Sequence, residues 1–139
     1  MVRAALIFLL ATSCSTTSKL RSGYPDEMII YHLYPLRTSL VSISCEKVKD
    51  MPDAKKIIVK DVQEIKKRYQ LFEDKSNFQL DKSIVDLDAR VSIVFRNNGI
   101  DVKRICWSNV KRCEMNGGVY KYNEEVEKFL LDYGLIFKM

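Results

Sequence analysis

The feature that most constrains the fold is an Asn98-Gly99 pair directly after a strand pattern. Residues 87–95 alternate between apolar and polar side chains, which is typical of a strand with one buried face. Asn-Gly favours a two-residue hairpin turn, because both central residues of a type I′ turn need a positive φ. The predicted register pairs Asn97 with Ile100, Arg96 with Asp101, Phe95 with Val102, Ile93 with Arg104, Val91 with Cys106 and Arg90 with Trp107. Arg104 opposite Ile93 is its weak pair, and a bulge could shift it.

Further strand patterns lie on both sides of this hairpin. Residues 28–34 form an aromatic and β-branched run between two prolines, and residues 39–48 alternate with Val41, Ile43 and Cys45 on the inward face. After a reversal near 108–111, Asn116-Gly117-Gly118 turns the chain again into residues 119–122. The segment from 87 to 122 therefore predicts a meander.

Two helices are predicted from apolar spacing. Asp53 is the expected N-cap of the first helix, and Asn123 and Gly134 are the expected start and stop of the second. Spacings of three and four connect the apolar residues of the first helix: Ala54, Ile58, Val62, Ile65, Tyr69 and Phe72. Strands and helices do not alternate strictly. The pattern therefore predicts an α+β fold, a single small domain with an antiparallel meander sheet of about four to six strands packed against two helices.

Composition excludes several classes of protein. The chain has 139 residues, of which 47% are hydrophobic and 29% charged. This balance is that of one folded domain rather than a disordered tail or a disulfide-dense miniprotein. The longest apolar run is eight residues, so a polytopic membrane protein is excluded as well.

That apolar run lies at the start of the chain. Arg3 precedes residues 4–11, all apolar, and small polar residues follow. Eight residues are too few to span a bilayer but suffice for the core of a signal peptide. We therefore predict a signal peptide at residues 1–13; the alternative, an N-terminal core helix, lacks helical apolar spacing in residues 12–18.

The junction Leu10-Ala11-Thr12-Ser13-Cys14 resembles the lipobox of bacterial lipoproteins. It departs from the family pattern in Leu10, which lies one place further from the cysteine than the usual large aliphatic residue. The resemblance implies that Cys14 carries fatty acid (palmitate) and begins the mature protein, and Ser15 after it implies the outer membrane. Residues 14–25 would form a flexible tether and 26–139 the domain. The alternative is ordinary cleavage near Ser13, which gives a secreted or periplasmic soluble protein.

Three further cysteines can form at most one pair. A two-residue turn at Asn109-Val110 would place Cys106 and Cys113 opposite each other, so we predict this pair as a possible disulfide. Cys45 bonded to either of them is one alternative. Three small buried hydrophobic thiols are the other.

Little in the sequence indicates catalysis. His32 is the single histidine, and the cysteines lack the short spacing of structural zinc sites. We therefore predict no metal site, no cofactor and no catalytic residue. A thiol- or His-dependent envelope enzyme that uses Cys45, Cys106 or Cys113 with His32 is the competing hypothesis.

A basic and aromatic group of residues in the meander suggests binding. The formal net charge is +5. A possible binding surface for a protein or an anionic surface polymer is formed by Lys103, Arg104, Trp107, Lys111, Arg112, Tyr120 and Tyr122. Nucleic acid is not expected, because the leader directs the domain away from it. The sequence thus favours a membrane-anchored, non-enzymatic binding or accessory domain. An immunity or inhibitor protein is an alternative that fits the same size and the same predicted localisation.

Overall fold

Seven antiparallel strands form one sheet in the part of the chain that the structure describes. This computed structural model describes residues 23–34, 41–108 and 110–136. The strands are β1 (Glu27–His32), β2 (Lys55–Val59), β3 (Phe78–Leu80), β4 (Val91–Asn97), β5 (Ile100–Trp107), β6 (Arg112–Met115) and β7 (Gly118–Tyr122). The helices are α1 (Val62–Glu73) and α2 (Glu124–Asp132), and the order in the sheet is β2-β1-β4-β5-β6-β7-β3.

The domain is therefore α+β, as the sequence predicts, with one strand more than the upper end of the predicted range. The meander β4-β5-β6-β7 is confirmed. Asn98 and Gly99 have φ values of 52° and 77°, and Asn116 and Gly117 have φ values of 51° and 74°, so each pair forms a turn with two positive φ angles. The unexpected strands are β2 and β3, which form the two edges of the sheet.

The β4–β5 register agrees with the prediction only near the turn. Asn97 pairs with Ile100 and Arg96 with Asp101, but the register shifts between Phe95 and Arg96. Beyond this bulge the pairs are Phe95 with Lys103, Ile93 with Ile105 and Val91 with Trp107. The predicted pairs of Phe95, Ile93, Val91 and Arg90 were wrong by one residue, because the bulge moves Arg104 away from Ile93 and brings apolar Ile105 opposite it.

Helix α1 begins later than the spacing predicts. Its N-cap is Asp61, whose Oδ1 accepts a hydrogen bond from the Glu64 amide at 2.8 Å. The residues before it form β2, in which Ile57 pairs with Ile30 of β1. Three consecutive β-branched residues, 57–59, favour an extended strand, and pairing with β1 overrides the helical spacing. Asp53 is not the cap. Helix α2 begins at its predicted N-cap, Asn123.

Residues 41–54 form turns and a short 3₁₀ segment (Val48–Asp50) instead of the predicted strand. Ile43 is buried, and its amide donates to Asp88 Oδ1 at 2.9 Å. Val41, predicted to point inward, is 73% exposed. Residues 39 and 40 of the predicted strand lie outside the described residues.

The two faces of the sheet are covered differently. Both helices pack on one face, which we call the helix face, where Phe72 of α1 and Phe129 of α2 contact Trp107. The opposite face, which we call the second face, is partly covered by residues 41–54, with Leu33, Ile43, Val48, Ala89 and Cys106 in a smaller cluster. Because strand side chains alternate between faces, neighbours along each strand belong to different cores.

Candidate functional site

The pairing of the described cysteines follows from the two faces of the sheet. Cys45 and Cys106 form a disulfide with a Cα–Cα distance of 5.5 Å, and Cys113 is free and buried. The predicted Cys106–Cys113 pair is therefore corrected to the alternative, Cys45–Cys106. Cys113 lies opposite Trp107, not Cys106, and belongs to the helix-face core, whereas Cys106 belongs to the second-face cluster. Their sulfur atoms lie on opposite sides of the sheet.

Thiol chemistry has little support in this arrangement. Burial raises the pKa of the Cys113 thiol to about 12, so its nucleophilic thiolate form is scarce at neutral pH. The other two described cysteines are joined to each other. Burial, and then the nearby Lys55 ammonium, lower the pKa of His32, which favours its neutral imidazole. His32 pairs with Lys55 and Val91 in the sheet.

The first three residues of the predicted basic and aromatic surface have separate environments. Trp107 is fully buried in the helix-face core. Lys103 donates to the Phe72 carbonyl at 3.0 Å and contacts the Glu73 carboxylate. Arg104, the next residue along β5, points to the second face and pairs with Asp101 at 3.1 Å.

The remaining four residues of the predicted surface also lie in separate environments. Lys111 pairs with Glu127 of α2 at 3.0 Å, and Arg112 pairs with Asp81 at 2.7 Å. Tyr120 and Tyr122 are half-buried and pack against the helix-face core. The structure therefore does not bring the seven residues together on one surface, and most of their charges are used within the domain.

The longer of the two edge strands in the described part of the chain is β2. It has five residues and, among the described strands, pairs with β1 alone. Lys55 and Lys56 are exposed, Ile58 is 48% exposed, and the Lys60 side chain just after the strand is 76% exposed. The opposite edge, β3, has only three residues. β2 thus offers the longer row of backbone hydrogen-bonding groups to a partner.

The concave sites carry mixed or acidic charge. A groove of about 520 Å³ between the helices is lined by residues of both signs, and Arg68 within it is bound to Glu64 at 2.7 Å and Asp132 at 3.7 Å. A second depression beside Cys45 is lined by Glu46, Asp86 and Glu114. In the described ranges, no group of three or more His, Cys, Asp or Glu is arranged to hold a metal ion.

Sequence reasoning missed the β2 edge, because its residues fit a helical spacing. The signal that could have found it is the β-branched run at 57–59 flanked by lysines. Cys14 and the rest of residues 1–22 lie outside the described residues. Among the helices that the structure does describe, none combines the length and the apolar character needed to cross a bilayer.

The chain matches no known family model, and no curated protein or solved structure is significantly similar to it.

Proposed function

We propose that this protein is a cell-envelope lipoprotein, anchored through Cys14 in the outer membrane, whose domain binds a partner without catalysing a reaction. The observation that carries the proposal is the Cys45–Cys106 disulfide. Disulfides persist in oxidising compartments and are rare in the cytosol. This bond fits the same destination as the lipobox-like leader, although it involves none of the leader's residues.

Binding is favoured over thiol catalysis by the state of the cysteines. Catalysis by a cysteine requires a thiolate beside a base. Two of the described cysteines are oxidised, and the third has a pKa of about 12 because it is buried. A thiol- or His-dependent enzyme therefore has less support than a binding domain.

The β2 edge is the surface that we assign to binding. An extended segment of a partner can pair with an open edge strand through main-chain hydrogen bonds, and side chains then provide selectivity. Lys55 and Lys56 make this edge positive, Lys60 after it pairs with Glu27 at 3.8 Å, and Ile58 supplies an apolar contact. Such an edge fits an acidic segment with apolar residues at alternate positions.

A second copy of this chain fits the edge less well. Pairing β2 with β2 would bring the lysines of both copies to one seam, where like charges repel. Lysines on an edge strand also prevent unwanted self-association. We therefore assign the edge to an acidic protein partner rather than to a homodimer.

Intact-mass analysis of the membrane fraction tests the anchor. We expect a chain that begins at Cys14 and carries acyl chains. Cys14→Ser should abolish acylation and release the protein from the membrane, whereas Ser15→Ala should leave both unchanged. An unmodified mature chain in the soluble fraction would support the secreted alternative and contradict the anchor.

Peptide titration tests the binding edge. The probe is a short peptide of alternating glutamate and valine, with a lysine and valine peptide as its counterpart. Each exposed ion pair contributes about 0.2–1 kcal/mol, so Lys55→Glu with Lys56→Glu should weaken binding of the acidic peptide by about tenfold. Lys82→Glu with Lys121→Glu, which make the same charge change elsewhere on the surface, should weaken it much less. If both pairs of substitutions weakened binding equally, the peptide would be responding to the net charge of the protein, which would contradict the assignment of binding to the β2 edge.

A further inference from the structure

We propose that the end of the domain formed by residues 23–26 and the β4–β5 turn rests on the bilayer surface, with Ile100 and Val102 among the lipid headgroups. This inference rests on the proposed lipid anchor at Cys14. We call this end of the domain the tether end.

The described chain begins directly beside the β4–β5 turn. The Asp26 amide donates to the Arg96 carbonyl at 2.9 Å, and the Asn98 amide donates to Asp26 Oδ2 at 3.0 Å. Glu27, the first residue of β1, pairs with Arg96. The point at which the tether enters the domain is thus fixed to the tip of this hairpin.

Apolar side chains are exposed at this end. Ile100 is 69% exposed and Val102 is 48% exposed, two residues apart on β5. Tyr24 is 46% exposed and packs edge-on against Tyr69. The register shift between Phe95 and Arg96 leaves Val102 without a cross-strand partner. Apolar residues at a loop tip with an aromatic residue nearby are suited to the membrane interface.

The charges around the tip are largely neutralised within the domain. Asp101 accepts from Arg96 Nε at 2.7 Å and from Arg104 Nη2 at 3.1 Å. Lys103 contacts the Glu73 carboxylate. Ion pairs of this kind reduce the desolvation cost of moving Ile100 and Val102 from water toward the interface, while the exposed Asp26 carboxylate accepts the Asn98 amide.

The length of the connecting chain keeps this end near the membrane. Nine residue steps separate Cys14 from Gly23, which span at most about 30 Å when fully extended. A lipid at Cys14 would therefore hold the domain at a high effective concentration beside the bilayer. Even weak contacts between the bilayer and the nearest surface of the domain would then form most of the time. Of the domain surfaces, the tether end is attached most directly.

A single-cysteine labelling experiment tests this orientation, because the native cysteines should not react. Cys14 would be acylated, Cys45 and Cys106 are bonded, and Cys113 is buried with a pKa of about 12. Ile100→Cys and, independently, Val102→Cys would carry an environment-sensitive fluorophore in the full acylated protein. Val85→Cys is the matched control, since Val85 is 88% exposed and lies outside the tether end.

The labelled proteins are reconstituted in vesicles of phosphatidylethanolamine and phosphatidylglycerol, and quenching by aqueous iodide is measured. We expect quenching at positions 100 and 102 to fall about threefold relative to position 85, with a blue shift of emission. Equal quenching at all three positions in protein whose mass includes the acyl chains overturns this orientation alone. A mass without acyl chains overturns the proposed anchor, and the orientation with it, so the two failures are distinct.

Discussion

At the scale of single residues, the Cys45–Cys106 disulfide makes the clearest energetic prediction. The two cysteines are 61 positions apart, and their bond fastens residues 41–54 to the second face. Closing a loop of this length restricts the unfolded chain by about 4 kcal/mol in the chain-entropy model. We expect a reductant to lower the free energy of unfolding by about this amount in urea titrations. The Cys45→Ala variant should not respond to reductant, because the freed Cys106 and the buried Cys113 lie on opposite faces of the sheet; a response would reveal a different bond.

Asp81 predicts a dependence of stability on pH. Hydrogen bonds from Ser83, and then from Arg112, hold the pKa of the Asp81 carboxyl well below its usual value of 3.8. A carboxyl whose pKa is depressed by folding stabilises the protein above its unfolded pKa, and this contribution is lost as the pH falls below it. Asp81→Asn should therefore be less stable than the wild type at pH 7.

The same pair of proteins tests the sign of this effect across the acid range. As the pH falls from about 5 to about 2, the difference between wild type and Asp81→Asn in the free energy of unfolding should shrink. Thermal unfolding at several pH values measures the difference directly. Because other carboxylates titrate equally in both proteins, they cancel in this comparison. A difference that stays constant with pH would show that Asp81 acts only through packing.

At the scale of elements, the start of α1 is fixed by a single cap. Asp61 Oδ1 accepts from the Glu64 amide at 2.8 Å. Loss of an N-cap typically costs about 1 kcal/mol, so Asp61→Ala should reduce the free energy of unfolding by about that amount. Asp61→Asn should retain most of the stability, since asparagine caps helices nearly as well. Chemical denaturation compares the two, and an equal loss in both would mean that the charge of Asp61, rather than its cap, stabilises the helix.

The same elements explain how far the sequence predicts the fold. Local signals were sufficient for the Asn98-Gly99 turn, the meander and the cap of α2, because each depends on adjacent residues. The register beyond the β4–β5 bulge was wrong, although a bulge was allowed for, and β2 was missed, because both depend on pairing with other strands. Ile58 illustrates the difficulty: it fits a helical spacing, but it pairs with Ile29 of β1. The candidate binding edge was missed for the same reason.

At the scale of the whole molecule, α1 connects the two edges of the sheet. It follows β2 at one edge and leads through a short 3₁₀ turn into β3 at the other. The ring of Phe72 packs against four other aromatic rings at centroid distances between 5.2 and 6.5 Å: Phe78 in β3, Phe95 in β4, Trp107 in β5 and Phe129 in α2. One buried side chain thus joins both helices to the centre and far edge of the sheet.

This arrangement predicts that both sheet edges lose stability together. Phe72→Ala should lower the free energy of unfolding by about 3–5 kcal/mol, because it removes a buried aromatic ring and leaves a cavity. In hydrogen exchange, amides of the β1–β2 and β3–β7 pairs should lose protection to a similar extent, as expected for one cooperative unit. Val62→Ala, on the exposed side of α1, is the control and should change little. If protection fell at β3 and β7 but persisted at β1 and β2, the sheet would consist of two separately stable halves, and a partner bound at β2 would not stabilise the far edge.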